Sequence, residues 1–182
     1  MSNRAELQEI SNKRLLRAAQ GEEDVWEVLN SDEFRDPDDP ESFLYDINCR
    51  DVLRNTPLHL AVISGSIENV KYLIEEDGCD VDLQNSEGNT PLHLAMIRDL
   101  DPSVRRDIVH ALVSEAGATA SLKITNNNRQ TPMDLCHIYG RHEVADELRS
   151  PSPPPMGVGA FVNNDDIASD DEDGSGSGSE SE

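Results

Sequence analysis

Five histidines and three cysteines are the side chains here most able to bind a metal or relay a proton, and their surroundings decide whether they do. His59 and His93 sit in two copies of one hexapeptide, Thr56-Pro57-Leu58-His59-Leu60-Ala61 and Thr90-Pro91-Leu92-His93-Leu94-Ala95. Their shared position in a repeated motif accounts for both histidines, so a structural role is favoured over a metal or catalytic one. Cys136, His137 and His142 form a zinc-like donor set, but no second cluster completes a tetrahedral site. Cys136 also occupies the small position that Ala61 and Ala95 hold in the other copies. Cys49 and Cys79 have no adjacent base to generate a thiolate. No Gly-x-Gly-x-x-Gly, Walker-type, His-Glu-x-x-His or Gly-x-Ser-x-Gly string occurs, and Gly174-Ser175-Gly176-Ser177-Gly178 is low complexity. Acid pairs are common, but they fall in loops and the C-terminal tail, where no rigid element holds two carboxylates around a substrate. The expectation is a protein that is not an enzyme and uses no cofactor or metal.

The elements that carry these residues must pack with little aromatic filling. The chain has 182 residues, of which 36% are hydrophobic and 4% aromatic. Small helices stacked through Ala and Leu suit that composition. Against 37 acids stand 15 bases, a net charge of -22. Such a chain is repelled by phosphate backbones and anionic lipid, which argues against direct nucleic-acid or membrane binding. A basic protein partner is favoured instead. Three scattered cysteines without a Cys-x-x-Cys pair suit free thiols in a reducing compartment. Met1 to Ile10 lacks an apolar signal core, and no apolar run approaches the roughly 20 residues of a membrane span. A soluble protein of the cytoplasm, the nucleus or both is expected, monomeric when unbound.

Internal repetition organises the chain. The hexapeptide recurs after 34 residues (90 − 56) and, as Thr131-Pro132-Met133-Asp134-Leu135-Cys136, after a further 41 (131 − 90). In each copy Thr can cap a helix, Pro fits its first turn, and the Leu and Ala positions begin an apolar face. In the first copy Gly65 ends the helix, and Ile67 to Ile74 reads as an antiparallel second helix closed by Gly78. These motifs and their spacing resemble the ankyrin-repeat family, whose period is about 33 residues. The resemblance implies an all-α solenoid of about four helix-turn-helix units with short β-hairpin fingers. The units span about 12–30, 46–79, 80–120 and 121–149 within a domain of residues 1–149, with an acidic insert at 30–45. It also implies that His59 and His93 bond across neighbouring repeats and order the fingers. Two departures are visible. Five residues are inserted within Leu100 to Arg105, where Asp101-Pro102 reads as a break, and two more enter the finger after Gly117.

In this family the finger tips and the inner helices form one concave surface. The variable positions there are Ile63-Ser64, Ile97-Arg98 and Ile138-Tyr139, an apolar stripe that either meets a partner or packs on adjacent fingers. The tips add Val52-Leu53-Arg54, Ser86-Glu87 and Asn127-Asn128-Arg129. Candidate partner-binding residues are thus Val52, Leu53, Arg54, Ile63, Ile97, Arg98, Arg129, Ile138 and Tyr139. Arg54 and Arg129 stand where the middle finger has Gly88. A positive φ is costly for Arg, so those two turns are expected to differ in type. The stretch Asn30 to Glu41 carries six acids against one Arg and is expected to hang beside the concave face. It is either a solvated loop or, with the tail, a bracket around a basic ligand.

The segment 150–182 holds eight acids and no base, and should be disordered. It is either a solubility tail or a mobile polyanion. Ser150 and Ser152 precede prolines, while Ser169, Ser177 and Ser179 precede acids, which makes the five candidate phosphorylation sites. The plan is similar to that of small fungal ankyrin proteins, one of which escorts a ribosomal protein. That likeness implies a module that binds and shields or escorts a basic protein of ribosomal or histone type. The alternative is an inhibitory or scaffold subunit of a signalling or transcription-regulatory complex.

Overall fold

Three helices start at a Thr-Pro step, and the fold is built outward from those starts. At each, the backbone N–H of Thr is satisfied by the side chain three residues on, at 3.2 Å to His59 Nδ1, 3.2 Å to His93 Nδ1 and 2.8 Å to Asp134 Oδ2. Pro takes the first helical position, where a missing N–H costs nothing.

The computed structural model describes residues 4–36, 39 and 43–149. The tail, with the candidate sites Ser150, Ser152, Ser169, Ser177 and Ser179, lies outside the described residues. The pairs are α1 (Arg4–Ala19) with α2 (Val25–Leu29), α3 (Pro57–Ser64) with α4 (Ile67–Glu75), and α5 (Pro91–Ile97) with α6 (Pro102–His110). The last pair is α7 (Pro132–Ile138) with a 3₁₀ turn, His142–Val144, that leads into α8 (Ala145–Leu148). Inner helices α1, α3, α5 and α7 pack on one another in chain order, and the outer helices α2, α4 and α6 do the same. The result is an all-α repeat solenoid. Ala61, Ala95 and Cys136 are completely buried where inner helices meet, because only a small side chain permits that approach. Leu58, Leu73, Leu92 and Leu112 are at most 1% exposed and fill the space between helix layers.

Among the described residues no strand forms, and the only bridge joins Arg35 to Phe43. The fingers are hairpin-shaped turns, each closed by two backbone bonds rather than a ladder: Asp51 N to Asn55 O, Asn85 N to Asn89 O and Asn126 N to Gln130 O, all 2.9 Å, with Arg54 N to Asp51 O (2.9 Å), Gly88 N to Asn85 O (3.0 Å) and Arg129 N to Asn126 O (2.8 Å).

Two sequence expectations need correction. Asp101-Pro102 does not break the chain. Asp101 Oδ1 accepts from Ser103 N at 2.9 Å and Pro102 opens α6, so the inserted residues lengthen the outer helix, which continues as a π turn through Ala111–Glu115. Asp followed by Pro is a helix start when apolar residues follow. The described residues of the acidic insert do not hang free either; Asp38 and Glu41 lie outside them. Phe34 and Leu44 are buried, and Leu44 N donates to Phe34 O at 2.7 Å. Ser11 Oγ of α1 donates to Leu44 O at 3.0 Å, and Arg14 lies 5.5 Å above the Phe34 ring. Of its acids, Asp36 pairs with Arg4, Glu33 with Arg14 and Asp32 with Arg35. Phe34 and Leu44 thus hold the described parts of the insert against α1, where a first finger would otherwise stand.

Arg105 is the largest fully buried side chain among the described residues. Its Nε donates to Ala95 O at 3.1 Å, its Nη2 to Leu100 O at 2.8 Å and Arg98 O at 3.3 Å, and its Nη1 pairs with Glu143. One guanidinium thereby satisfies carbonyls at the end of α5 and fastens that unit to the closing one. Replacing Arg105 with Leu strands these acceptors and the carboxylate. A loss of about 3 kcal/mol is expected in urea unfolding, and a loss under about 1 kcal/mol would disprove the clasp.

His59 Nε2 donates to Asn89 O and His93 Nε2 to Gln130 O, each at 3.0 Å, while Nδ1 accepts from Thr, so both rings are neutral. Burial pushes His59 down to about 4 and also lowers His93. An unfolded histidine titrates near 6.5, so below that pH the unfolded chain binds protons that the folded chain refuses. Stability present above pH 6.5 should therefore decline as pH falls toward 4, by roughly 3 kcal/mol from His59 alone. In urea midpoints measured against pH, the His59→Gln variant should show a shallower decline across that window than the wild type. Equal slopes would refute the assignment.

Candidate protein-binding groove

The concave surface depends on how each finger is held to the next. Within a finger the first side chain closes the turn. Asp51 Oδ1 accepts from Leu53 N (2.8 Å) and Asn55 N (2.7 Å), Asn85 Oδ1 from Glu87 N and Asn89 N (3.0 Å each), and Asn126 Oδ1 from Asn128 N (3.0 Å) and Gln130 N (3.1 Å). Between fingers, Asn85 Nδ2 donates to Asn55 Oδ1 at 2.9 Å and Asn126 Nδ2 to Asn89 Oδ1 at 3.1 Å. The tips are joined by Ser86 N to Leu53 O (2.9 Å) and Asn127 N to Glu87 O (3.0 Å). An amide is needed wherever a finger must donate backward. Asp51, in the first finger, has no finger behind it, and its Oδ2 instead accepts from Asn55 Nδ2 at 3.0 Å. Asp134 mirrors this at the other end, since among the described residues no finger follows to which a histidine would donate.

Arg54 (φ 62°), Gly88 (φ 75°) and Arg129 (φ 61°) share the left-handed conformation. The expectation of different turn types is overturned: the ladder of tip-to-tip bonds imposes one turn, and the two arginines adopt it. Gly88 has no such freedom to change, because a Cβ there would come within 2.8 Å of Asn127 N.

Between fingers and inner helices runs a groove with hollows at both ends. One, of about 450 Å³, is lined by Gln20, Asp51, Leu53, Asn55, Leu60, Ile63, Ser64 and Arg98. Another of about 450 Å³ lies between Ser86, Glu87, Asn89, Ile97, Leu135, Tyr139 and the amides Asn126, Asn127, Asn128 and Gln130. A smaller one, about 170 Å³, joins Leu53, Ile63, Leu94, Glu87 and Arg98. Leu53, Ile63, Ile97, Arg98 and Tyr139 therefore share the groove. Val52, which is 98% exposed, and Arg54 and Arg129 stand on the tips outside the hollows. Ile138 is 60% exposed but lines none of these three hollows. Ile63 and Ile97 are half-buried and also pack on the core.

Sequence reasoning missed the leucine floor (Leu60, Leu94, Leu135) and the amide wall (Asn55, Asn89, Gln130). Both were available in the alignment. The leucines are the fifth residue of each hexapeptide, and an Asn or Gln directly precedes each Thr-Pro.

The remaining chemistry is quiet. Burial pushes the Cys49 and Cys79 thiols up to about 12 and also raises Cys136, whose Sγ lies 3.0 Å from Arg141 O. Among the described residues no group of three or more His, Cys, Asp or Glu could hold a metal, and no helix is long and apolar enough to cross a membrane. A family model described as ankyrin repeats, in three copies, matches residues 15–123. No curated protein matches the chain.

Left-handed backbone costs a non-glycine residue about 1 kcal/mol. Arg54→Gly and Arg129→Gly should each raise stability by about 0.5–1 kcal/mol in thermal melts. Gly88→Arg should lower it by at least about 2 kcal/mol, through both strain and the clash with Asn127. A destabilising result for both arginine variants would show that the strain is misplaced.

Proposed function

Because this chain belongs to the ankyrin-repeat family, an interaction fold, we propose that its groove binds a segment of another protein and that this partner is basic. The observation that carries the reading is a groove with an apolar floor and an amide wall, open among the described residues from Leu53 to Tyr139, on a chain of net charge -22. The apolar floor supplies affinity through removal of surface from water. The acid excess outside the groove attracts and screens a cationic protein, so the chain shields or escorts it, in the cytoplasm, the nucleus or both. The thiols are held protonated by burial, and His59 and His93 are spent on the fingers.

A specific observation favours a second reading, that of an inhibitory or scaffold subunit. Asp32, Glu33 and Asp36 of the insert are already paired within the chain, which weakens the idea of an acidic bracket and leaves the apolar groove as the main contact.

Salt separates the two. With the natural partner recovered by affinity purification and identified by mass spectrometry, shielding predicts about tenfold or greater loss of affinity between 50 and 300 mM salt, and a further loss on deleting residues 150–182. A scaffold interaction should be insensitive to both. Under either reading Tyr139→Asp and Ile97→Asp should weaken binding at least about tenfold, with melts confirming that the variants are folded. Binding that ignores both aspartates would remove the groove from the interaction.

A further inference from the structure

At each junction between described fingers, three groups of one repeat converge on the finger that follows. In the first, Leu53 O accepts from Ser86 N (2.9 Å), Asn55 Oδ1 accepts from Asn85 Nδ2 (2.9 Å) and His59 Nε2 donates to Asn89 O (3.0 Å). In the second, Glu87 O accepts from Asn127 N (3.0 Å), Asn89 Oδ1 accepts from Asn126 Nδ2 (3.1 Å) and His93 Nε2 donates to Gln130 O (3.0 Å). The repeat register carries these three positions on to Asn128 O, the Gln130 side chain and Asp134. No described finger follows them, and no described residue donates to Asn128 O. Gln130 Oε1 receives only a long bond, 3.4 Å, from Asn126 Nδ2 of its own finger. Asp134 Oδ2 accepts from Thr131 N (2.8 Å) and Thr131 Oγ1 (2.7 Å), which leaves Oδ1 uncommitted among the described residues. His59 and His93 are completely buried, whereas Asp134 and Asn128 are exposed.

This end face differs from an inner junction in one respect. The donor that an inner repeat sends forward is replaced by a carboxylate, so all three groups now accept. The Thr131 N–H and hydroxyl hold the Asp134 carboxyl below its ordinary range, and it is charged at neutral pH. Arg129 and His137 flank it in sequence, and neither forms an ion pair with it. A second copy of this chain is a poor occupant. Its first finger, in the register of the inner junctions, would set Asp51 against Gln130 Oε1 and Asn55 O against Asp134, acceptor against acceptor in both places. What fits is a segment that brings only donors: a backbone N–H for Asn128 O and a cation where a finger carries its carbonyl. We infer that the open end of the finger array docks an extended basic segment, with one backbone N–H on Asn128 O and a Lys or Arg side chain on Gln130 Oε1 and the Asp134 carboxylate. The net charge of -22 draws such a segment in. Asn128 and Gln130 also line the hollow that ends the groove beside Tyr139, so one segment can run from the groove onto this face. The inference rests on the reading of a basic partner and adds a site at the groove's end.

The test is selection of a displayed random peptide library on the full chain, on Asp134→Asn, on Asp134→His and on Ile97→Asp. Asn keeps an oxygen for Thr131 and His is the residue at 59 and 93, so both changes preserve the helix cap, which melts would confirm. Expected from the wild type are peptides carrying Lys or Arg. They should bind Asp134→Asn about tenfold more weakly, and N-methylation of one peptide bond beside the base should cost about as much. Selection on Asp134→His should lose the preference for a base. Peptides that bind Asp134→Asn as well as the wild type but fail on Ile97→Asp would leave the groove reading standing and remove the end face. Peptides indifferent to both changes, as when a polycation collects on the acidic tail, or no enrichment at all, would overturn both. A wild-type dimer in sedimentation velocity that Asp134→Asn abolishes would put a second copy on this face and overturn the assignment to a basic segment.

Discussion

A buried, uncharged imidazole reaching from one repeat to a backbone carbonyl of the next is the contact on which everything else here relies. His59 and His93 each do three things with one ring: accept from the helix-capping Thr, fill space between layers, and donate 3.0 Å into the following finger. The finger would otherwise be a short loop with few contacts of its own. Tied at its base by histidine and at its tip by amide and backbone bonds, it becomes rigid enough to form one wall of a groove. A repeat solenoid has only nearest-neighbour contacts, so the regularity of these ties decides whether units behave as one body.

Much of this architecture was legible because the strongest signals are local. Thr-Pro fixes where a helix starts, and the residue three places on reveals whether another finger follows. The floor of the groove was equally readable from the register of the hexapeptide, although the apolar stripe drew attention first. Three features were not legible, each for a physical reason. Asp101-Pro102 supports both a stop and a start, and only the packing of Ile108 and Val109 selects the start. Arg105 carries a charge, and its complete burial depends on three carbonyls and a carboxylate brought together from different elements. In the insert, Phe34 and Leu44 are isolated among acids and show no periodicity, yet they decide where that stretch lies.

The finger tips show a conflict between local preference and tertiary geometry. Arg54 and Arg129 adopt a conformation that suits glycine, since consecutive tips must present the same N–H and carbonyl to each other. Local strain is tolerated where the array demands uniformity. The same uniformity places cationic side chains along the rim of an otherwise acidic protein, so global charge is a poor guide to the groove itself.

Asp51 and Asp134 have a consequence for anyone wishing to lengthen or shorten this molecule. Each replaces a residue that would couple outward, and each satisfies its own turn instead. The ladder of fingers is therefore closed chemically at both ends, and a finger added before Asp51 or after Asp134 would find no side-chain donor facing it until those aspartates were exchanged for asparagine and histidine.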